Sequence, residues 1–159
     1  MKKNDTEKRI NKIIKEWFVT EALLFSAVTT HHSVLNDSLS VPLRTGNLCI
    51  EYSNPLTENL SETELSDLLK IEVYRILLKH PYTRQPHKAN PTALLLASDI
   101  VISKFFVPSS KIESAGLTFL KSLAWKFSNL DYPLGKKWAD TEELKFFNVI
   151  FRLTEPQGN

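Results

Sequence analysis

The stretch Ser61-Glu62-Thr63-Glu64-Leu65-Ser66-Asp67-Leu68-Leu69-Lys70-Ile71-Glu72-Val73-Tyr74-Arg75-Ile76-Leu77-Leu78-Lys79-His80-Pro81 decides how the chain folds. Ser61 followed three residues later by Glu64 is the signature of a capping box, and Pro81 stops a helix. The spacing therefore predicts a helix from Ser61 to about Lys79. Leu65, Leu68, Leu69, Val73 and Ile76 recur along one face of it. Glu72 falls in the middle of that apolar stripe. A carboxylate carried into a core is costly unless it is paired, protonated, solvated or bound to a metal. Arg75, three residues on, can reach Glu72 on the same helix.

Outward from this segment the pattern stays mostly helical. Thr6 to about Thr30 reads as one long amphipathic helix, with Ile10, Ile13, Ile14, Trp17, Phe18 and Leu24 near one face. Val41-Pro42-Leu43-Arg44 and Leu48-Cys49-Ile50-Glu51-Tyr52 flank Thr45-Gly46-Asn47, which predicts a hairpin. Pro42 puts its strand at a sheet edge or at an irregular start. Asn90-Pro91 opens a helix to about Phe106 that is apolar on nearly every side, apart from Asp99. Ser110 and Glu113 suggest a further capping box, with Ile112, Phe119, Leu120, Leu123 and Phe127 behind it. Asp140 and Glu143 start a last helix through about Leu153. About five helices and a small β-sheet or hairpin make an α+β domain weighted toward helix, with room for further short strands in the irregular segments.

The chain has 159 residues, 42% hydrophobic and 24% charged, which suits a single domain spanning 1–159 with a substantial core. A formal charge of +2 is too small to argue for nucleic acid or an anionic membrane. Cys49 is the sole cysteine, so no internal disulfide can form, and a reducing, cytoplasmic setting is the expectation. The apolar run Leu23 to Val28 is flanked by Glu16 and Glu21, which reads as a buried helix rather than a signal peptide or membrane span.

Ile71-Glu72-Val73-Tyr74-Arg75 has the outline of H-E-x-x-H, in which two histidines on one helical face bind zinc and the glutamate acts as general base. Here Ile71 and Arg75 stand at the histidine positions. Ile71 has no metal donor, and Arg75 is a permanent cation. The surrounding residues add weight. Leu60-Ser61-Glu62-Thr63-Glu64-Leu65, Ile71 through Pro81, and Ala97-Ser98-Asp99-Ile100-Val101-Ile102 resemble a bacterial metallopeptidase-like domain that commonly precedes a VWA-like domain. The family pattern reads roughly L-S-x-x-E-L, H-E-V-L-H-x-L-L-x-H-P and A-x-D-x-V-I-N. Glu51-Tyr52-Ser53-Asn54-Pro55 also looks like its upstream region. The resemblance spans about residues 15–153 and is most specific between Leu60 and Ile102.

This resemblance implies a mainly helical, zincin-like fold. Residue by residue, Glu72 matches the general base, His80 a later histidine, and Asp99 the acidic residue of the following helix. Either of the last two corresponds to a third ligand or to a group supporting one. Ser103 departs from the family asparagine. The implied reading is a degenerate, catalytically inactive member with a vestigial network of Ile71, Glu72, Arg75, His80 and Asp99. In it, Arg75 replaces the metal charge beside Glu72 and Asp99, and no cofactor is expected. The alternative is a zinc-dependent hydrolase rebuilt on His80, Asp99 and Glu72, with His87 as a further candidate. The family's companions imply a protein partner, a VWA-like protein or a MoxR-type ATPase, and neither nucleic acid nor membrane.

The remaining candidates have simpler readings. His80 suits the dipole at a helix C-terminus, and His31 and His32 are expected to close the first helix in the same way. Cys49 reads as a small apolar packing residue rather than a nucleophile. Lys79, Arg84, His87 and Lys88 form a solvated loop or an anion contact. Trp17, Trp125 and Trp138 read as core anchors.

Overall fold

The computed structural model describes residues 5–83, 91–103 and 105–112. Residues 113–127 of the helix expected behind Ser110, and the helix expected from Asp140 to Leu153, lie outside them, as do Arg84, His87, Lys88, Trp125 and Trp138. The described elements are α1 (Asp5–Thr20), α2 (Ala22–Val28), β1 (His32–Leu35), β2 (Leu43–Gly46), β3 (Cys49–Tyr52), α3 (Asn54–Thr57), α4 (Glu62–Leu77) and α5 (Pro91–Ile102). The architecture is α+β and mostly helical: five helices and one three-stranded sheet among the described residues. The chain divides into two compact units, one of residues 1–83 and 108–112, the other of residues 84–107 and 113–159.

In the first unit, the long helix expected from Thr6 to Thr30 is two helices. They part at Glu21, whose φ of −144° and ψ of 65° leave the helical region. The cause is local. Phe18-Val19-Thr20 is an aromatic and β-branched run that loses side-chain freedom in a helix. Thr20 also turns its hydroxyl back onto the Glu16 carbonyl at 3.0 Å, a bond that bends helices. The apolar spacing continues across the bend, which is why the sequence conceals it. Ile10, Ile13 and Trp17 of α1 and Leu24 of α2 enter one core, whereas Phe18 stays exposed.

The hairpin forms with a shifted turn. Gly46 pairs with Cys49, so the loop is Asn47-Leu48, with φ of 51° and 58°. Positive φ at both loop residues matches the right-handed twist of two-residue hairpins. Asparagine tolerates that conformation readily and leucine poorly. The shift moves Thr45 from the expected turn into β2, opposite Ile50. β2 is an edge strand, and Pro42 sits just outside it, where its carbonyl accepts from the Ser53 amide at 3.1 Å. A proline is suited to that place, because the bond needs no N–H from it.

β1 was not expected as a strand. It runs parallel to β3 in register His32↔Cys49 to Leu35↔Tyr52, so the sheet order is β1-β3-β2. His32 therefore opens a strand, and His31 lies between α2 and β1; neither closes a helix. A parallel partner 17 positions away leaves no local sequence signal comparable to a hairpin turn. Ile50 and Tyr52 of β3 are buried, while Cys49 and Glu51 are half-buried on the opposite side.

α4 begins with the expected capping box: Glu64 N–H donates to Ser61 Oγ at 3.1 Å, and Ser61 N–H to Glu64 Oε2 at 2.7 Å. It ends at Leu77 rather than Lys79. Lys79 takes φ of 59°, its amide donates to the Ile76 carbonyl (3.0 Å), and the His80 amide donates to the Arg75 carbonyl (3.1 Å). These two bonds and the left-handed residue make a Schellman ending with lysine where glycine is common. Leu65, Leu69 and Val73 of α4 join Ile13, Trp17 and Ile50 in the core. Buried Asp67 of α4 accepts from the Ser110 amide at 2.9 Å, which ties residues 108–112 to this unit. Ser110 lies in a bend there.

In the second unit, α5 opens at Pro91 as expected and stops at Ile102, short of Phe106. Leu96, Ala97, Ser98, Asp99, Ile100 and Ile102 are all buried. Burial over consecutive positions is the mark of a helix covered on more than one side.

Candidate functional site

Glu72 and Arg75 face inward from the middle and last turn of α4, each with a side chain only 8% exposed. Arg75 Nη2 donates to Glu72 Oε1 at 3.1 Å, and Arg75 Nε to Glu72 Oε2 at 3.3 Å. The fork of the guanidinium thus spans both carboxylate oxygens, the geometry in which arginine binds a carboxylate most strongly. Thr45 of β2 donates its hydroxyl to Glu72 Oε2 at 2.7 Å. The buried carboxylate is charge-matched by α4 and hydrogen-bonded by the sheet.

Thr45 was the residue that the sequence did not nominate. Reading Thr45-Gly46-Asn47 as the turn removed it from the sheet. The available signal was period two: Leu43 and Thr45 share the face that turns toward the core once the turn is placed at Asn47-Leu48.

Ile71 is buried beside Glu72 on the helix. His80 is also buried, at the second position past the helix cap, where its amide is bonded to the Arg75 carbonyl. Asp99 is buried on α5, in the second compact unit. The structure therefore brings Glu72, Arg75 and Thr45 together directly and ties His80 to Arg75 through the backbone.

The residues at the H-E-x-x-H positions do not fit a zinc ion. Ile71 offers no donor atom, and the Arg75 cation already engages both oxygens of Glu72. A metal brought to that carboxylate would meet a fixed positive charge at contact distance. Among the described residues no group of three or more histidine, cysteine, aspartate or glutamate side chains is placed to hold a metal ion.

A second polar cluster, also not foreseen, joins α2, the hairpin and the segment after α4. Thr30 Oγ1 donates to the Ala27 carbonyl at 2.6 Å and lies 2.8 Å from His31 Nδ1. A hydroxyl has one proton, so Nδ1 of His31 must be the donor to Thr30. His31 Nε2 then accepts from the Tyr82 hydroxyl, and Tyr82 Oη accepts from the Leu48 amide at 3.2 Å. The chain of donors runs in one direction only while His31 is neutral. Burial holds the His31 pKa below its ordinary 6.5, and His32 adds a like charge. Burial pushes Tyr82 the other way, which keeps its hydroxyl protonated; the Leu48 amide opposes this in part.

A folded-state pKa below the unfolded one means that the unfolded chain binds the extra proton first as the solution is acidified. The stability from neutral His31 is thus complete above about pH 6.5 and is lost as pH falls through the lower folded value. The expected result is a urea midpoint that drops on acidification through that window, with a shallower dependence in His31→Gln. An unchanged pH profile in that variant would show that His31 does not contribute.

No family model matches the chain, and neither a curated protein nor a solved structure does. No helix of the described residues is long and apolar enough to cross a membrane.

Proposed function

We propose that this chain is a catalytically inactive, metallopeptidase-like domain that acts as a binding or regulatory module. The observation that carries the reading is the buried Arg75–Glu72 fork, placed where the resembling family has its second zinc ligand and its general base. On this reading Arg75 stands in for the metal charge beside Glu72. The carboxylate that would have activated a water is instead held in a structural pair. Asp99 and His80 are its remaining counterparts of the family's acidic residue and later histidine. The partner would be a protein, of the VWA-like or MoxR-type ATPase class that accompanies the family. We also propose a cytoplasmic location, supported by a single, unpaired cysteine.

Elemental analysis of the protein purified without chelator tests the reading. Less than stoichiometric zinc is expected, together with capture of a specific protein in a pull-down read by mass spectrometry. One transition metal held per chain, and lost in His80→Ala or Asp99→Ala, would overturn it in favour of a hydrolase with a rebuilt site.

A further inference from the structure

The hydroxyl of Tyr82 joins three segments of the first unit. It donates to His31 Nε2, in the link between α2 and β1. It accepts from the Leu48 amide at 3.2 Å, in the turn of the β2–β3 hairpin. Tyr82 itself follows the end of α4, where its amide donates to the Lys79 carbonyl at 3.1 Å. The hairpin end of this junction is strained. Leu48 has a φ of 58°, a conformation in which its β-carbon crowds the backbone. Such a residue stays in place where its surroundings hold it. Both backbone groups of Leu48 are held: the amide by Tyr82, and the carbonyl by the His32 amide at 3.0 Å.

The junction suits one protonation state of His31. A phenolic oxygen carries one proton and has room in the ring plane for one further donor. While His31 is neutral, the Tyr82 proton points at Nε2 and the Leu48 amide takes the other position. An imidazolium carries a proton on both nitrogens. Nδ1 still donates to Thr30 Oγ1 at 2.8 Å, so that contact is indifferent to the change. Nε2 would then aim a second donor at an oxygen that already receives the Leu48 amide, and the Tyr82 proton would lose its acceptor. The titratable groups that act on the pair give no relief. His32 of β1 is a like charge beside His31, and Cys49 of β3 acts on Tyr82; neither is a carboxylate that would anchor the cation.

We propose that Tyr82 is a proton-controlled latch on the hairpin turn: uptake of one proton from solvent at His31 Nε2 breaks the Tyr82–Leu48 hydrogen bond and separates the Asn47-Leu48 turn from the segment after α4. The Leu48 bond gives way because it is long and ends on a strained residue. Burial holds the His31 pKa below its ordinary 6.5, so the latch is closed above about pH 6.5 and opens as pH falls through the lower folded value. The change is local, since the sheet pairs from Gly46↔Cys49 inward include neither His31 nor Tyr82. Its outward result is a second conformation of Leu48, whose side chain is 60% exposed at the tip.

NMR of the full chain across the titration tests the proposal, with the His31 ring resonances giving its pKa and amide exchange giving the protection of Leu48. Protection is the exchange rate relative to that of an unstructured chain at the same pH. For Leu48 it is expected to fall roughly two- to tenfold as His31 protonates, the worth of one hydrogen bond. The Ile50 amide, inside the sheet, should keep its protection. In His31→Gln the side-chain carbonyl accepts from Tyr82 at every pH, so Leu48 should stay protected throughout. In Tyr82→Phe it should be unprotected throughout. Constant Leu48 protection in the wild type while His31 titrates would overturn the proposal, and the wild-type measurement needs neither variant. A fall that persists in His31→Gln, or that vanishes in His32→Gln alone, would also overturn it. Joint loss at Leu48 and Ile50 would mean unfolding of the sheet instead of a latch.

Discussion

Arg75→Ala is expected to lower the unfolding free energy by about 3–5 kcal/mol. The guanidinium and the Glu72 carboxylate are both almost fully withdrawn from water and share two hydrogen bonds. Removing the arginine leaves a buried carboxylate with the Thr45 hydroxyl at 2.7 Å and no counter-charge in this trio. One hydroxyl does not replace the solvation that a carboxylate loses on burial. Urea unfolding followed by circular dichroism gives the value directly. Arg75→Met with Glu72→Leu should recover most of the loss, because two apolar side chains of similar size need no charge compensation. A loss below about 1 kcal/mol would match a solvent-exposed pair instead, and would remove the support for Arg75 as a charge replacement.

Trp17→Ala is expected to cost a similar amount, about 3–5 kcal/mol. Trp17 is buried at the end of α1, in one cluster with Leu24 of α2, Ile50 of β3 and Leu69 of α4. Its truncation opens a cavity where helices and sheet meet, and the rigid surroundings collapse only in part. The Trp17 carbonyl also accepts the Glu21 amide across the bend at 2.8 Å. That bond is backbone and persists in the variant, so the effect reports packing. A lower urea midpoint with unchanged far-ultraviolet circular dichroism before the transition is the expected signature. If the midpoint held, the cluster would not depend on Trp17.

Much of the α4 reading survives contact with the structure because its signals are local. Ser61 and Glu64 are three residues apart, and the cap they form needs nothing from elsewhere in the chain. The inward position of Glu72 follows from helical spacing, and so does its reach to Arg75. The α1–α2 bend was hidden because the helical period crosses it unbroken. β1 was hidden because a short strand with a parallel partner carries neither a turn nor a long alternating pattern. The His31–Tyr82 contact spans 51 positions, and no spacing rule connects them.

By itself the sequence determined that a carboxylate and a guanidinium would sit on the same inward side of one capped helix, and that a hairpin would stand beside mainly helical structure. These outcomes depend on backbone periodicity, capping and turn chemistry, which act over a few residues. Only the tertiary structure decided that Thr45 would complete the Glu72 site, because that required β2 to be placed against α4 in one register. It also decided that His31 would sit between Thr30 and Tyr82, where burial lowers its pKa, and that Phe18, Val19 and Leu23 would be exposed. Apolar side chains all favour burial, and which of them succeed depends on how much surface the neighbouring elements can cover. That area is a property of packing and cannot be read from the order of residues along α1.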